Sequence, residues 1–349
     1  MSYNEFRIKR IDTFEKEIME EVQYLLKQND LTVDLFLEER IGIFDGKKLI
    51  ATGGIKGNTL RCIAVDKAHQ GGRVLNILIG ELLNIQYHRN VNHIFLFTKP
   101  ASKRSFEFLG FHVVEEVNNE VVLMENRQDG LASYLKGLSK HKVDGEKIGS
   151  IVINGNPFTL GHRYLIERAG RENDYLHIFV LSSDESSFPY RVRMQLIEEG
   201  TNDINNITIH GGGDYIISSA TFPSYFIKEE SNIVGLHAAL DVNIFGKYIA
   251  PCLGINRRYV GEEPYCAVTR EYNKTMEKIL PQYGIELVEI PRKGFEGGYI
   301  SASKVREAIG KDEIEKIKGL VPPSTYSFLI SEEGEKVIKR VKAYSTKRH

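Results

Sequence analysis

The stretch Ile151-Val152-Ile153-Asn154-Gly155-Asn156-Pro157-Phe158-Thr159-Leu160-Gly161-His162 decides the fold of the second half of this chain. Ile151 to Ile153 read as a buried strand, and Arg163 to Ala169 follow as a helix. Gly155 permits a sharp exit from the strand and close approach to a phosphate. Pro157 stiffens the turn. Gly161 and His162 open the helix, whose free N–H groups favour an anion. His162 is placed to donate to an α-phosphate oxygen as charge shifts in a transition state. Thr159 shares that face with its hydroxyl. Asn154, Asn156 and Phe158 complete the candidate nucleotide-binding turn. The plainer alternative is that Gly161 and His162 merely begin a helix. The whole octapeptide Gly155–His162 after an apolar strand outweighs it.

A second segment, Ile300-Ser301-Ala302-Ser303-Lys304-Val305-Arg306, supplies hydroxyls and cations. Ser303 is a good N-cap for a helix over Lys304–Gly310. Ser301, Ser303, Lys304 and Arg306 also suit β- and γ-phosphates. Four such groups exceed what capping needs.

Around these segments strands alternate with helices. Strands are expected at Ser150–Ile153, His177–Leu181, Ile207–Ile209, Ile233–Leu236, Arg258–Val260 and Ile285–Ile290. Helices are expected at Arg163–Ala169, Arg191–Gly200, Ser224–Glu230, Thr269–Leu280 and Ser303–Gly310. That order predicts an α/β domain with a parallel sheet, its ligand at the carboxyl ends of the strands. Asp241 and Glu262 end predicted strands and are candidates for ribose, metal or adenine contact, or ordinary loop carboxylates. Lys336–Arg348 reads as a solvated helix face, with Val337, Ile338 and Val341 at helical spacing.

Residues 1–126 form a separate mixed α/β unit. It holds helices at Phe14–Gln28, Arg73–Tyr87 and Ser102–Leu109, and strands at Leu35–Phe44, Leu49–Gly54, Leu60–Val65, His93–Thr98 and Val121–Met124. Asp45-Gly46 marks a hairpin. Residues 127–147 read as a linker and 148–349 as the second domain.

The chain has 349 residues and a formal net charge of -1, which argues against a general grip on nucleic acid. Cys62, Cys252 and Cys266 are sparse and show no metal-type spacing, so no metal site is expected and a reducing compartment is. The amino terminus has no apolar signal segment, and no apolar run approaches the ~20 residues of a membrane helix. A cytoplasmic protein is expected.

Gly155–His162 resembles the T/HxGH motif of the nucleotidylyltransferase superfamily in its shorter NPFxxGH form, with Thr159 where many members carry a first histidine. Ile300–Arg306 resembles that superfamily's ISSTxxR motif, with Ala302 replacing a serine. Segments 153–169, 186–191, 220–226, 239–264 and 300–309 together resemble the citrate (pro-3S)-lyase ligase family. That resemblance implies a Rossmann-like catalytic domain and a reaction of ATP, with Mg²⁺, and acetate. The acceptor is the thiol of a CoA-like prosthetic group on the citrate lyase acyl carrier subunit. The products are the acetyl thioester, AMP and diphosphate. His162 and Thr159 carry over as catalytic residues.

Residues 62–73 and 106–111 resemble the GNAT acetyltransferases, whose turn grips a CoA pyrophosphate through backbone N–H groups. Val65, Gln70, Gly71, Gly72 and Arg73 are then the candidates for holding a CoA-like arm. Arg73 stands where the pattern has glycine, and Leu75 where it has a small residue. Glu39, His69 and Tyr87 are candidate bases, with surface or core roles as the alternative. The rival functions are a nucleotidylyltransferase of cofactor biosynthesis, a GNAT-type acetyltransferase with a nucleotide-sensing second domain, and a non-catalytic adaptor.

Overall fold

A computed structural model describes residues 6–184, 186–217, 222, 225, 230–263, 266–295 and 298–346. By contacts the chain divides into unit 1, residues 1–133 with 223–236, and unit 2, residues 134–222 with 237–349. The excursion at 223–236 has no counterpart in a contiguous reading of the sequence.

Unit 1 carries β1 (Arg7–Arg10), α1 (Lys16–Gln28), β2 (Glu39–Asp45), β3 (Lys48–Lys56), β4 (Thr59–Val65), α2 (Val74–His88), β5 (Phe95–Thr98), α3 (Lys103–Glu107), β6 (His112–Val117) and β7 (Val121–Glu125). The sheet order is β1-β2-β3-β4-β5-β7-β6. Met19, Val22, Leu25 and Leu26 make the buried stripe of α1, and Leu78, Ile79, Leu82 and Ile85 that of α2. The Asp45-Gly46 signal is realised as the β2–β3 hairpin, with Gly46 at φ +60°. The strand expected from Leu35 begins only at Glu39. Asp34 Oδ1 accepts the Phe36 amide at 3.0 Å and holds that segment in a turn, leaving Leu35 and Phe36 exposed. The edge strands β1 and β6 escape the sequence reading, because β1 is polar throughout except Ile8.

Unit 2 continues from α4 (Gly130–Leu138), which crosses the partition, into β8 (Ile148–Ile153), α5 (Leu160–Glu172), β9 (Tyr175–Val180), α6 (Tyr190–Glu199), β10 (Ile207–Gly211), α7 (Glu230–Ile244), α8 (Ala250–Leu253), β11 (Arg257–Gly261), α9 (Ala267–Ile279), β12 (Glu286–Ile290), α10 (Ala302–Gly310), α11 (Pro323–Leu329) and α12 (Glu332–Thr346). The main sheet has five strands, all parallel, in the order β10-β9-β8-β11-β12. Chain order reverses between β8 and β11, so the ligand crevice of such a sheet falls between their carboxyl ends. Val337 and Val341 of α12 are buried in the same core as Ile151, Ile153 and Phe158.

Two expectations are corrected here. Ile233–Leu236 is not a strand but part of α7. A short apolar run fits either a buried strand or a helix buried all round. Here Leu236, Ala238, Ala239, Leu240, Val242 and Ile244 are all buried along a single 15-residue helix. Asp241 consequently sits inside that helix and not at a strand end. The helix expected over 224–230 falls mostly on residues outside the described set.

Gly155 adopts φ +61°, and an added Cβ would stand 3.0 Å from Ile197 Cδ1. Gly155→Ala should therefore lower the stability of unit 2 by about 1–2 kcal/mol, read as a lower denaturant midpoint.

Candidate active site

Thr159 is the N-cap of α5, which starts at Leu160, so Gly161 and His162 lie inside its first turn. Thr159 Oγ1 accepts the His162 amide at 3.4 Å, and the Thr159 amide donates to His162 Nδ1 at 3.1 Å. This reciprocal pair is a capping box with histidine in the place usual for Glu or Gln. Thr159 is buried and its hydroxyl lies 3.0 Å from His162 Nδ1. The residue thus sets the histidine at least as directly as it could touch a ligand.

The tautomer follows. Nδ1 accepts a backbone N–H, so the neutral ring carries its proton on Nε2, assigned from the hydrogen-bond network. The ring stacks on the fully buried Phe158, with centroids 5.9 Å apart and planes at 11°. Burial, reinforced by the Arg292 and Arg306 cations, pushes the His162 pKa down to about 4. Near neutral pH this group is an uncharged N–H donor.

The second segment meets the first. A Cβ on Gly161 would lie 3.4 Å from the Ile300 carbonyl oxygen. The N-cap of α10 is Ser301 and not Ser303: the Lys304 amide donates to Ser301 Oγ at 3.3 Å. Ser303 instead accepts from Arg306 Nη2 at 3.1 Å. Arg306 also donates through Nη1 to the Asn156 carbonyl. The two motifs, 150 positions apart, are tied by one guanidinium.

A cavity of about 420 Å³ opens where they meet. Of the expected site residues, Asn154, Thr159, Gly161, His162, Ser301 and Ser303 line it. Gly155, Asn156, Pro157, Phe158, Lys304 and Arg306 are not among its lining residues. Pro157 and Phe158 are buried behind the turn, whereas Lys304 is exposed. Sequence reading missed Arg292 and Lys293, which line the cavity just after β12. Their signal was available, since a basic pair directly after an expected strand lies at the ligand end of a parallel sheet. Glu262 lines the cavity beyond β11, and its carbonyl accepts from Arg292 Nε at 2.7 Å. Glu263 forms an ion pair with Arg292. Asp241 is absent from this lining. It is buried, bound to Tyr272 and to the Ile217 amide at 2.6 Å.

Asn154 and Asn156 turn their side chains to neighbouring loops. Asn156 Oδ1 accepts from Ser187 Oγ at 3.0 Å and from the Phe188 amide at 2.9 Å. Asn154 accepts through both its oxygens from Arg193 Nη1, at 2.9 and 3.0 Å. Arg193 is fully buried and also binds the carbonyls of Leu181, Ser183 and Phe188. The stretch after β9 is therefore bolted to the turn that carries His162.

In unit 1 a cavity of about 360 Å³ is lined by Val65, Gln70 and Gly71, with Thr98 and Lys99 opposite. Gln70 Nε2 donates to the Val65 carbonyl at 3.1 Å and to Asn29 Oδ1 at 3.2 Å. Gly71 adopts φ +74°. Gly72 and Arg73 are outside this lining, and Arg73 lies over the Phe6 ring at 5.1 Å. Of the candidate bases, Tyr87 is exposed, His69 contacts Asp66 at 3.2 Å, and Glu39 faces Arg10.

Three further histidines share the depressed basicity of His162. His177 Nδ1 and His210 Nε2 are 3.0 Å apart, and burial pushes their pKa values down to about 4 and about 3. His237 is lowered by burial as well. A depressed folded-state pKa means the unfolded chain binds more protons between the ordinary value of 6.5 and about 4. This stability contribution is complete above pH 6.5 and is lost as the pH falls toward 4. The slope approaches about 1.4 kcal/mol per pH unit for each fully buried imidazole. Urea midpoints should fall from neutral pH to about pH 5, and less steeply in His177→Gln. NMR should show the His162 ring still neutral at about pH 5.5.

Among the described residues no helix is long and apolar enough to cross a membrane. A solved structure from Vibrio parahaemolyticus assigned as a nicotinate-nucleotide adenylyltransferase is similar at 14% identity, with 56% of this chain and 95% of that chain covered and a TM-score of 0.33. An acetyltransferase of the GNAT family from Staphylococcus aureus is similar at 13% identity, with 35% of this chain and 98% of that chain covered and a TM-score of 0.29. A family model for the citrate lyase ligase C-terminal domain matches residues 148–329. The citrate (pro-3S)-lyase ligase of Escherichia coli (strain K12) is 43% identical over 325 residues, covering 92% of each chain. With both motifs of unit 2 converging on one cavity and this similarity running through both units, the chain belongs to the citrate lyase ligase family.

Proposed function

We propose that this chain is an ATP-dependent acid–thiol ligase that activates citrate lyase by acetylating the thiol of the CoA-like group on its acyl carrier subunit. The observation that carries the reading is His162 locked as an Nε2–H donor in a cavity shared with Ser301 and Arg292. In the first step an acetate oxygen attacks the α-phosphorus of ATP. The bond to the bridging oxygen breaks, and diphosphate leaves with that oxygen. His162 donates to an α-phosphate oxygen as charge builds there, and Thr159 holds the ring in that tautomer. Ser301, Ser303, Arg292 and Lys293 line the cavity and supply donors and positive charge for the leaving diphosphate, and Lys304 and Arg306 add positive charge from behind that lining. In the second step the carrier thiol, its proton passing to solvent, attacks the acetyl carbonyl and releases AMP.

Among the described residues no group of three or more His, Cys, Asp or Glu side chains gathers as a metal cage. In the cavity Glu263 is committed to Arg292. That donor set suits Mg²⁺ held chiefly by the phosphates of ATP. Val65, Gln70 and Gly71 of unit 1, with Gly72 and Arg73 at the same turn, are assigned to the CoA-like arm of the carrier. Unit 1 then acts as a holder, and residues 148–349 carry the chemistry.

Product analysis tests the reading. With ATP, acetate and thiol-form citrate lyase, one AMP and one diphosphate should form per acetyl thioester. ADP with phosphate, or diphosphate release indifferent to the acid, would overturn it.

A further inference from the structure

The groove of unit 1 is lined in part by a residue from far along the chain, Tyr225. Strands β4 and β5 pair only at Thr59 with Phe95 and Leu60 with Leu96. Past Leu60 no pairing joins them, and the cavity lies beside that gap, with Ile63 and Val65 on one side and Thr98 on the other. Opposite Gly53 the β3–β4 register shifts, and Cys62 there adopts φ +54°. A bulge of this kind takes backbone out of the ladder. An acyl thioester lying in the gap would find its polar backbone partner there.

Tyr225 already holds that place. It belongs to the 223–236 segment that joins unit 1, lines the cavity and is only 6% exposed. Its carbonyl accepts from the Thr32 amide at 2.7 Å and from Thr32 Oγ1 at 3.2 Å. Its hydroxyl hydrogen-bonds the Cys62 backbone, and burial raises its pKa, so the phenol stays neutral. A bulky aromatic ring, fixed at both ends, fills the space that an acyl group would need.

We propose that Tyr225 is the end stop of the unit 1 groove: the groove accepts a free pantetheine thiol of the CoA type and rejects the same thiol once it carries an acyl chain. This rests on the reading that unit 1 holds the CoA-like arm. It makes unit 1 selective for the substrate form of the carrier and inert as an acyltransferase.

The test is calorimetric binding of coenzyme A and butyryl-CoA to the full chain, in wild type, Tyr225→Ala and Tyr225→Phe. Wild type should bind coenzyme A at least about tenfold more tightly than butyryl-CoA. Tyr225→Ala should bring the two within about threefold, and Tyr225→Phe, which keeps the ring, should retain most of the discrimination. Equal binding of the two ligands by wild type, or an unchanged ratio in Tyr225→Ala, overturns the proposal. Should Tyr225→Ala fail to fold, Tyr225→Leu provides the same comparison. If wild type binds neither ligand and Tyr225→Ala binds both, Tyr225 shuts out thiol and thioester alike, and the proposed selectivity falls together with the arm reading. If no form binds either, both fall.

Discussion

Replacing His162 by alanine should lower kcat by about 10²–10³, a loss of roughly 3–4 kcal/mol of transition-state stabilisation, with the KM for ATP little changed. The expectation comes from the fixed tautomer. Its Nδ1 is occupied by the Thr159 amide, which leaves Nε2–H as the donor available to the cavity. The ring is neutral near pH 7, so it acts through a hydrogen bond that strengthens as negative charge moves onto the α-phosphate. Two controls separate this from a folding defect. The thermal transition of the variant should fall by no more than the loss of a capping-box partner costs, about 1 kcal/mol or a few degrees, far less than the loss in kcat. The pH profile of kcat/KM for the magnesium complex of ATP should lose no ionisation near pH 6.5 on removal of His162, because burial pushes that histidine down to about 4. A kcat within a few-fold of wild type would remove His162 from the chemistry.

The largest effect on stability should come from Arg193→Met. This guanidinium is fully buried and serves the carbonyls of Asn154, Leu181, Ser183 and Phe188, as well as Asn154 Oδ1. Methionine fills comparable volume but leaves buried carbonyls without donors. The cost should be about 3–5 kcal/mol, which lowers the melting transition of unit 2 by on the order of 10 °C. Arg193→Lys should recover little, because a single ammonium cannot serve carbonyls spread around a planar fork. Activity should fall in parallel, since Asn154 leads directly into the turn that carries His162. A melting temperature within a degree or two of wild type would show that water or neighbouring groups replace the fork.

The legible parts of this fold share a physical cause. β8, the Gly155 turn and α5 could be read because the apolar run, the glycine required at positive φ and the capping residue are all local in sequence. The same holds for α10, although the cap expected of Ser303 is made by Ser301. Either serine can cap a helix, and the cap is Ser301 because α10 begins at Ala302, one residue after it. α7 was misread in part because Ile233–Leu236 has no polar face to reveal its period; the surrounding helix is buried on nearly every side. Asn154 and Asn156 were read as ligands for a nucleotide, yet their side chains are spent on Arg193, Ser187 and Phe188. Those partners lie 31 to 39 positions away, beyond what local pattern can report. Arg292 and Lys293 were visible as a basic pair after β12 but carried no motif. Tyr225 lies in the family-like segment 220–226, and its place in unit 1 depends on long-range contact alone.

The central claim is that this cavity joins an acid to the α-phosphate of ATP before any thiol takes part. Acetate-dependent exchange of labelled diphosphate into ATP measures that step directly. The account predicts exchange that requires acetate, proceeds without the carrier thiol and collapses in His162→Ala. Exchange equally fast without acetate, or none from folded protein that binds ATP, would contradict it.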